Sequence, residues 1–199
     1  MKNLLKILFV FTLFLAVGCA TSVKRIDTTA TVDLSGRWND TDSRLVSEEM
    51  ITDSLQRSWL GKFKKEHKGN LPVVIVGTVK NRSHEHINVQ TFIKDLERAL
   101  INSGEVDFVA GKDERDEIRD ERKDKAVHSS EETAKSAGEE LGADFMLKGT
   151  ISTIQDKTKG KAVMFYQVNL ELINVETNRK AWIGEKKIKK LIKRPRFSL

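Results

Sequence analysis

The sequence predicts an α+β or α/β sandwich: one small mixed sheet with a C-terminal antiparallel meander, and helices packed on it. Three observations carry that reading. LPVVIVGTV (71–79) is a β-branched run of strand length with no polar alternation, the pattern of a strand covered on both faces. The segments flanking it repeat apolar residues at helical spacing instead. The last third then changes period, giving three long strand-like stretches separated by turn residues.

Taken in order, the chain turns through Gly36 and offers Asp40, Thr41 or Asp42 as a helix cap. Val46, Met50, Ile51, Leu55 and Trp59 then recur as one helical face, predicting a helix from about residue 43 to about residue 60. Gly69-Asn70 closes a basic loop before the first strand, and NRSHEH (81–86) is a polar loop after it. Val89, Phe92, Ile93, Leu96 and Leu100 mark a second helix, capped by Asn88 and stopped near Gly104. EVDFVA (105–110) reads as a short strand. GKDERDEIRDERKDK (111–125) reads as a charged helix, and SSEETAKSAGEELG (129–142) as another, with Ser129 and Glu132 in capping-box spacing and Gly142 as its stop. ADFMLKGTISTIQ (143–155), AVMFYQVNLELINV (162–175) and KAWIGEKKIKKLI (180–192) are the three closing strands. Their turns are DKTKG (156–160) and ETNR (176–179), where Asn178 can take the positive φ that a hairpin needs.

The totals allow one domain with a tail: 199 residues, 39% hydrophobic, three tryptophans. A net charge of +6 arises from 35 basic residues against 29 acidic ones, so the mean charge singles out no partner. A lone cysteine forms no internal disulfide and leaves the compartment to be read from the N-terminus.

There, Lys2 and Lys6 precede an apolar run from Ile7 to Val17, interrupted at Thr12 and followed by Gly18-Cys19. The run is too short for an ordinary spanning helix and has the order of an export signal. Ala16-Val17-Gly18-Cys19 resembles a bacterial lipobox, with Ala16 where leucine is usual. The resemblance implies a signal peptide at 1–18 that is removed, Cys19 as the lipid-attachment residue, and residues 19–32 as a lipidated N-terminus and short tether to a globular domain at 33–195. Two acyl chains suffice for stable anchoring. Ala20, in place of aspartate, implies the outer membrane, and an exported lipoprotein has no nucleic-acid partner.

Catalytic constellations are missing from the sequence. It has no G-x-S-x-G elbow and no phosphate loop, and its paired carboxylates fall in charge-rich helical segments that leave them solvated. The reading is therefore of a protein without enzymatic activity and without a cofactor. His84 and His86 flank Glu85, but no third ligand is fixed nearby, so no metal site is expected. The charged run 113–125 has pairs at helical spacing, Asp116 with Arg119 and Glu121 with Lys125, as a solvated helix face does. The basic end KKIKKLIKRPR (186–196) fits either an edge strand guarded against aggregation or a contact for anionic lipid, glycan or an acidic partner.

Several segments in this order resemble the LpoB-type penicillin-binding-protein activators: DLSGRWNDTDSR (33–44), PVVIVGTVKNRSHEHI (72–87), INSGEVDFV (101–109), ELGADFMLKGTI (140–151) and YQVNLELINVETNRKAW (166–182). The resemblance implies an outer-membrane lipoprotein whose periplasm-facing domain docks on a bifunctional penicillin-binding protein and stimulates peptidoglycan synthesis, performing no bond chemistry itself. Gly142-Ala143-Asp144 with Gly149 also resembles the N-terminal domain of TolB and the secretion lipoprotein CsgG, and implies as an alternative a structural lipoprotein of an envelope complex. Within the resemblance, Arg37, Trp38 and Asn81 read as turn or packing residues. Well-known enterobacterial members carry a long disordered linker, whereas about 20 linker residues here average roughly 25 Å as coil, with a limit of about 70 Å.

Overall fold

The computed structural model describes residues 22–128 and 140–193. The chain divides between Ala30 and Thr31 into two units. In the first, Asp27 closes a turn by accepting from the Thr29 amide and hydroxyl, both at 2.7 Å.

In the second unit, helix α1 spans Asp40–Leu55 and α2 spans Ser58–Glu66. The single helix predicted over residues 43–60 is thus two, and the supposed basic loop before the first strand is mostly helix. The break has a local cause. Trp59 turns its indole N–H onto the Ser54 carbonyl at 2.7 Å, and Arg57 stands extended as the cap of α2. This bend sends Trp59, Leu60 and Phe63 into the core, where Trp59 and Phe63 pack edge-on against Phe145. The cap of α1 is also one residue earlier than the candidates read from the sequence. Asn39 accepts from the Asp42 amide while Asp42 accepts from the Asn39 amide, each at 3.0 Å, a closed capping box.

Strand β1 (Val73–Arg82) leads to α3 (Val89–Ser103), which begins at an Asn88 cap and ends at Gly104 in the left-handed conformation, as the sequence predicts. Strand β2 is only Asp107–Phe108, shorter than the predicted 105–110, and α4 (Lys112–His128) is the charged helix. The helix predicted over 129–142 lies, up to residue 139, outside the described residues; residues 140–142 are not helical. Strands β3 (Phe145–Thr158), β4 (Lys161–Asn174) and β5 (Lys180–Lys193) form the predicted meander. The loop expected at 156–160 shrinks to a tight turn at Lys159-Gly160, and Asn178 takes φ 59°.

Sheet order among the described residues is β2-β1-β3-β4-β5, with β1 parallel to both β2 and β3 and the last three antiparallel. Full two-sided burial of β1 holds only at Val74–Val76; from Gly77 onward one face opens. One sheet face carries Leu147, Ile151, Tyr166, Val168 and Leu170 and is buried with Phe92 and Leu96 of α3 and Val46 and Ile51 of α1. The two helices are tied to each other where the Ser43 hydroxyl donates to Asp95 at 2.6 Å.

The Gly-Ala-Asp…Gly segment is scaffold. Asp144 aligns the starts of β1 and β3: its carboxylate accepts from the Val73 amide at 2.8 Å while its own amide donates to the Val73 carbonyl at 2.8 Å. Gly149 leaves room for the neighbouring strand, since a Cβ there would stand 2.4 Å from Leu170 and 2.8 Å from the Asn169 carbonyl oxygen.

Candidate docking surface

The edge strand β5 divides its side chains by parity. Trp182, Gly184, Lys186, Ile188, Lys190 and Ile192 turn toward the helices, while Ile183, Glu185, Lys187, Lys189, Leu191 and Lys193 turn out. Two cations therefore point inward from an edge strand, and α1 meets them with acids. Asp42 binds Lys190 at 2.6 Å, Glu49 pairs with Lys186, and Asp53 accepts from the Trp182 indole at 2.9 Å. The intervals of seven and four residues keep the three acids on one side of the helix, and the four-residue steps keep their partners on one face of the strand. Trp182 reaches across Gly184, where a Cβ would stand 2.1 Å from the indole ring.

Lys190 is the hub. Its side chain is 9% exposed and that of Asp42 8%. Besides Asp42, it donates to Asp33 at 2.5 Å and to the Arg37 carbonyl at 3.2 Å. Burial pulls the Lys190 ammonium down, but the hydrogen bonds and charges of Asp33 and Asp42 outweigh it and raise the pKa above the ordinary lysine value. The same contact holds Asp33 below the usual carboxylate range, against burial. The Arg57 hydrogen bond, against burial and helped by the Trp182 indole, lowers Asp53.

A second knot fixes the entering segment. Tyr166, fully buried on β4, donates to the Glu85 carboxylate, whose oxygens stand at 2.9 Å, and its oxygen lies 3.3 Å from the Gly36 carbonyl. The Trp38 amide donates to the same carboxylate at 3.1 Å, and the Trp38 ring packs on Tyr166 and Phe92. Burial, then the Glu85 hydrogen bond, drives the Tyr166 phenol well above its ordinary value. Glu85 is thus engaged in folding, not presented to an ion between His84 and His86. Among the described residues, no group of three His, Cys, Asp or Glu is placed to hold a metal.

Of the residues singled out from the sequence, Trp38 packs, Arg37 offers its backbone, and Asn81 shapes the loop after β1 by donating to the Glu85 carbonyl at 2.8 Å. The pair Asp116–Arg119 forms at 2.9 Å, and Arg119 also grips Glu140 through two bonds of 2.8 Å. Cys19 lies outside the described residues. Sequence reasoning missed Lys190, although its parity with Ile188 and Ile192 placed it on the inward face. It also missed Tyr166 and Trp182, for which one strand read alone carries no signal.

Between α1 and β5 this arrangement leaves an open groove of about 990 Å³, lined by Leu45, Glu48, Thr52 and Arg57 on one side and Gly184, Lys186 and Ile188 on the other. Acids, bases and apolar atoms alternate along it, the make-up of a protein-docking rim.

The sequence profile of the peptidoglycan-synthase activator LpoB matches residues 42–188. The chain belongs to the LpoB family. The span shared with LpoB proteins begins at Asp42 in α1 and ends at Ile188 in β5, so it contains most of both walls of the groove. The LpoB C-terminal domain from Salmonella enterica is similar over 75% of this chain and 99% of its own, at 18% identity and a TM-score of 0.46. The Escherichia coli LpoB solution structure is similar over 90% of this chain and 86% of its own, at 15% identity and a TM-score of 0.43. Lipoprotein GNA1162 from Neisseria meningitidis is similar over 60% of this chain and 83% of its own, at 14% identity and a TM-score of 0.36. No curated protein sequence matches. As to the membrane, no helix among the described residues is long and apolar enough to cross one.

Proposed function

We propose that this LpoB-family protein is an outer-membrane lipoprotein, anchored through lipid on Cys19 after removal of residues 1–18, with its domain in the periplasm. It binds a bifunctional penicillin-binding protein and raises its glycan polymerisation and cross-linking, without cofactor or bond chemistry of its own. Membership of a peptidoglycan-synthase activator family over residues 42–188 is the observation that carries this reading. The groove between α1 and β5 is the docking face within it. For docking to activate, the groove must bind the active synthase conformation more tightly than the inactive one; a difference of about 1.4 kcal/mol shifts that equilibrium tenfold.

The test is a pulldown from native envelopes with the full lipid-modified chain, followed by assay of the captured synthase. Capture of a bifunctional penicillin-binding protein, with a polymerisation rate that rises on adding the chain, is the expected result. The substitution Leu45→Glu, on a residue 46% exposed in the groove, should weaken capture while leaving the fold intact. Absence of any such synthase among the captured proteins overturns the reading.

A further inference from the structure

We propose that the β3–β4 hairpin end of the sheet, with the end of β5 beside it, is a surface that binds anionic lipid headgroups. The register builds it. On the face turned away from the helices, Ile154, Phe165 and Lys189 form one rung, Asp156, Val163 and Leu191 the next, and Thr158, Lys161 and Lys193 the last. Ile154 is 66% and Leu191 60% exposed, on a sheet whose opposite face is buried. Lys159 adds another exposed cation at the turn. Four lysines thus surround an apolar centre, against one carboxylate, Asp156. Among the described residues none of the four is ion-paired, whereas the inward Lys186 and Lys190 are both neutralised by α1.

A membrane fits this surface better than a soluble acidic protein does, for a reason of chain geometry. The folded unit begins at Thr31. Its first residues lie against the same part of β5: Asp33 binds Lys190, and Gly36 is in contact with Ile192. Eleven residues separate Cys19 from Thr31, a span of roughly 20 Å as coil. The domain is therefore led to its membrane at the end that carries the free lysines. Exposed aliphatic side chains ringed by lysine are the composition of an interfacial lipid contact. Each lysine near an anionic surface strengthens partitioning about fivefold. The approach rests on the proposed anchorage at Cys19; the charge and the exposed apolar residues do not.

The experiment reconstitutes the full, lipid-modified chain into vesicles of phosphatidylcholine alone or of phosphatidylcholine with phosphatidylglycerol. Leu191→Cys carries an environment-sensitive fluorophore, and Ile101→Cys on α3 serves as the control. With Cys19 acylated, each variant has a single free thiol, and mass spectrometry of the N-terminal peptide establishes this independently. A blue shift and protection from aqueous quencher at position 191, only in anionic vesicles and not at 101, is the expected result. Lys189→Glu with Lys193→Glu should remove it, weakening the contact by about thirtyfold or more, as should high salt. Equal spectra in neutral and anionic vesicles overturn the proposal. So does a lack of response to anionic lipid combined with charge-dependent binding to purified peptidoglycan, which would assign the surface to a glycan polymer. If Cys19 proves unmodified, the anchorage reading fails alone, and flotation of the chain with anionic vesicles still decides the surface.

Discussion

The Tyr166 hydroxyl meets the Glu85 carboxylate at 2.9 Å in the interior of the domain, 81 residues away along the chain. That bond joins the centre of β4 to the loop after β1, and through the Trp38 amide to the segment that enters α1. Replacing Tyr166 by Phe leaves the carboxylate partly desolvated with one donor fewer. Urea denaturation should show a loss of about 1–3 kcal/mol, accompanied by a weakened near-ultraviolet signal from Trp38.

Lys190 should be the costliest single side chain on β5. Lys190→Met leaves Asp42 buried beside a capping box with no cation, and breaking such a pair costs about 3 kcal/mol. Its pH signature follows from the raised Lys190 pKa. The contribution is fully present below the unfolded lysine value of about 10.4 and is lost as pH rises through the folded one. Asp33 has the opposite sign: its pKa is depressed, so its contribution is present above about 3.9 and fades as pH falls through the lower folded value. Thermal melts across pH should show both flanks in the natural protein and shallower ones in Lys190→Met, where Asp53 and Tyr166 still contribute.

Two glycines should respond in opposite directions to alanine. At Gly149 the new methyl meets the Asn169 backbone oxygen and Leu170, and should cost about 1–3 kcal/mol. At Gly61, inside α2, nothing lies within 4 Å of the new methyl, and stability should rise by about 0.5–1 kcal/mol. Paired chemical denaturation of the two variants checks the signs.

Trp182→Phe removes the indole donor to Asp53 while keeping most of the ring's packing. A loss of about 1 kcal/mol is expected, and Asp53→Ala in the Trp182→Phe background should add less than it does alone.

The sheet was largely legible because its strands carry their signal locally: a β-branched run in β1, and alternation in β3 to β5 bounded by Gly160 and Asn178. The helices were legible in proportion to their apolar stripe. Helix α3 shows a clean one, and its Asn88 cap and its stop near Gly104 are both legible. Helix α1 buries Thr41, Ser43, Ser47 and Ser54 beside Val46 and Met50, so its face looks polar in sequence and its end at Leu55 was overrun. That end depends on where one indole N–H goes, which no periodicity records. The docking region was least legible, because it consists of pairs such as Asp42–Lys190 and Asp53–Trp182 that join residues more than a hundred positions apart.

That separation bears on how the domain is made. Helix α1 is the first element of the folded unit and β5 the last described strand, yet each supplies the polar partners that the other needs. A nascent chain holds Asp42, Glu49 and Asp53 long before Lys190, Lys186 and Trp182 have emerged. Until then its central strands lack their outer neighbour and α1 lacks the cations it faces. Native closure thus waits for β5, a high-contact-order step that times folding to the arrival of the last described strand.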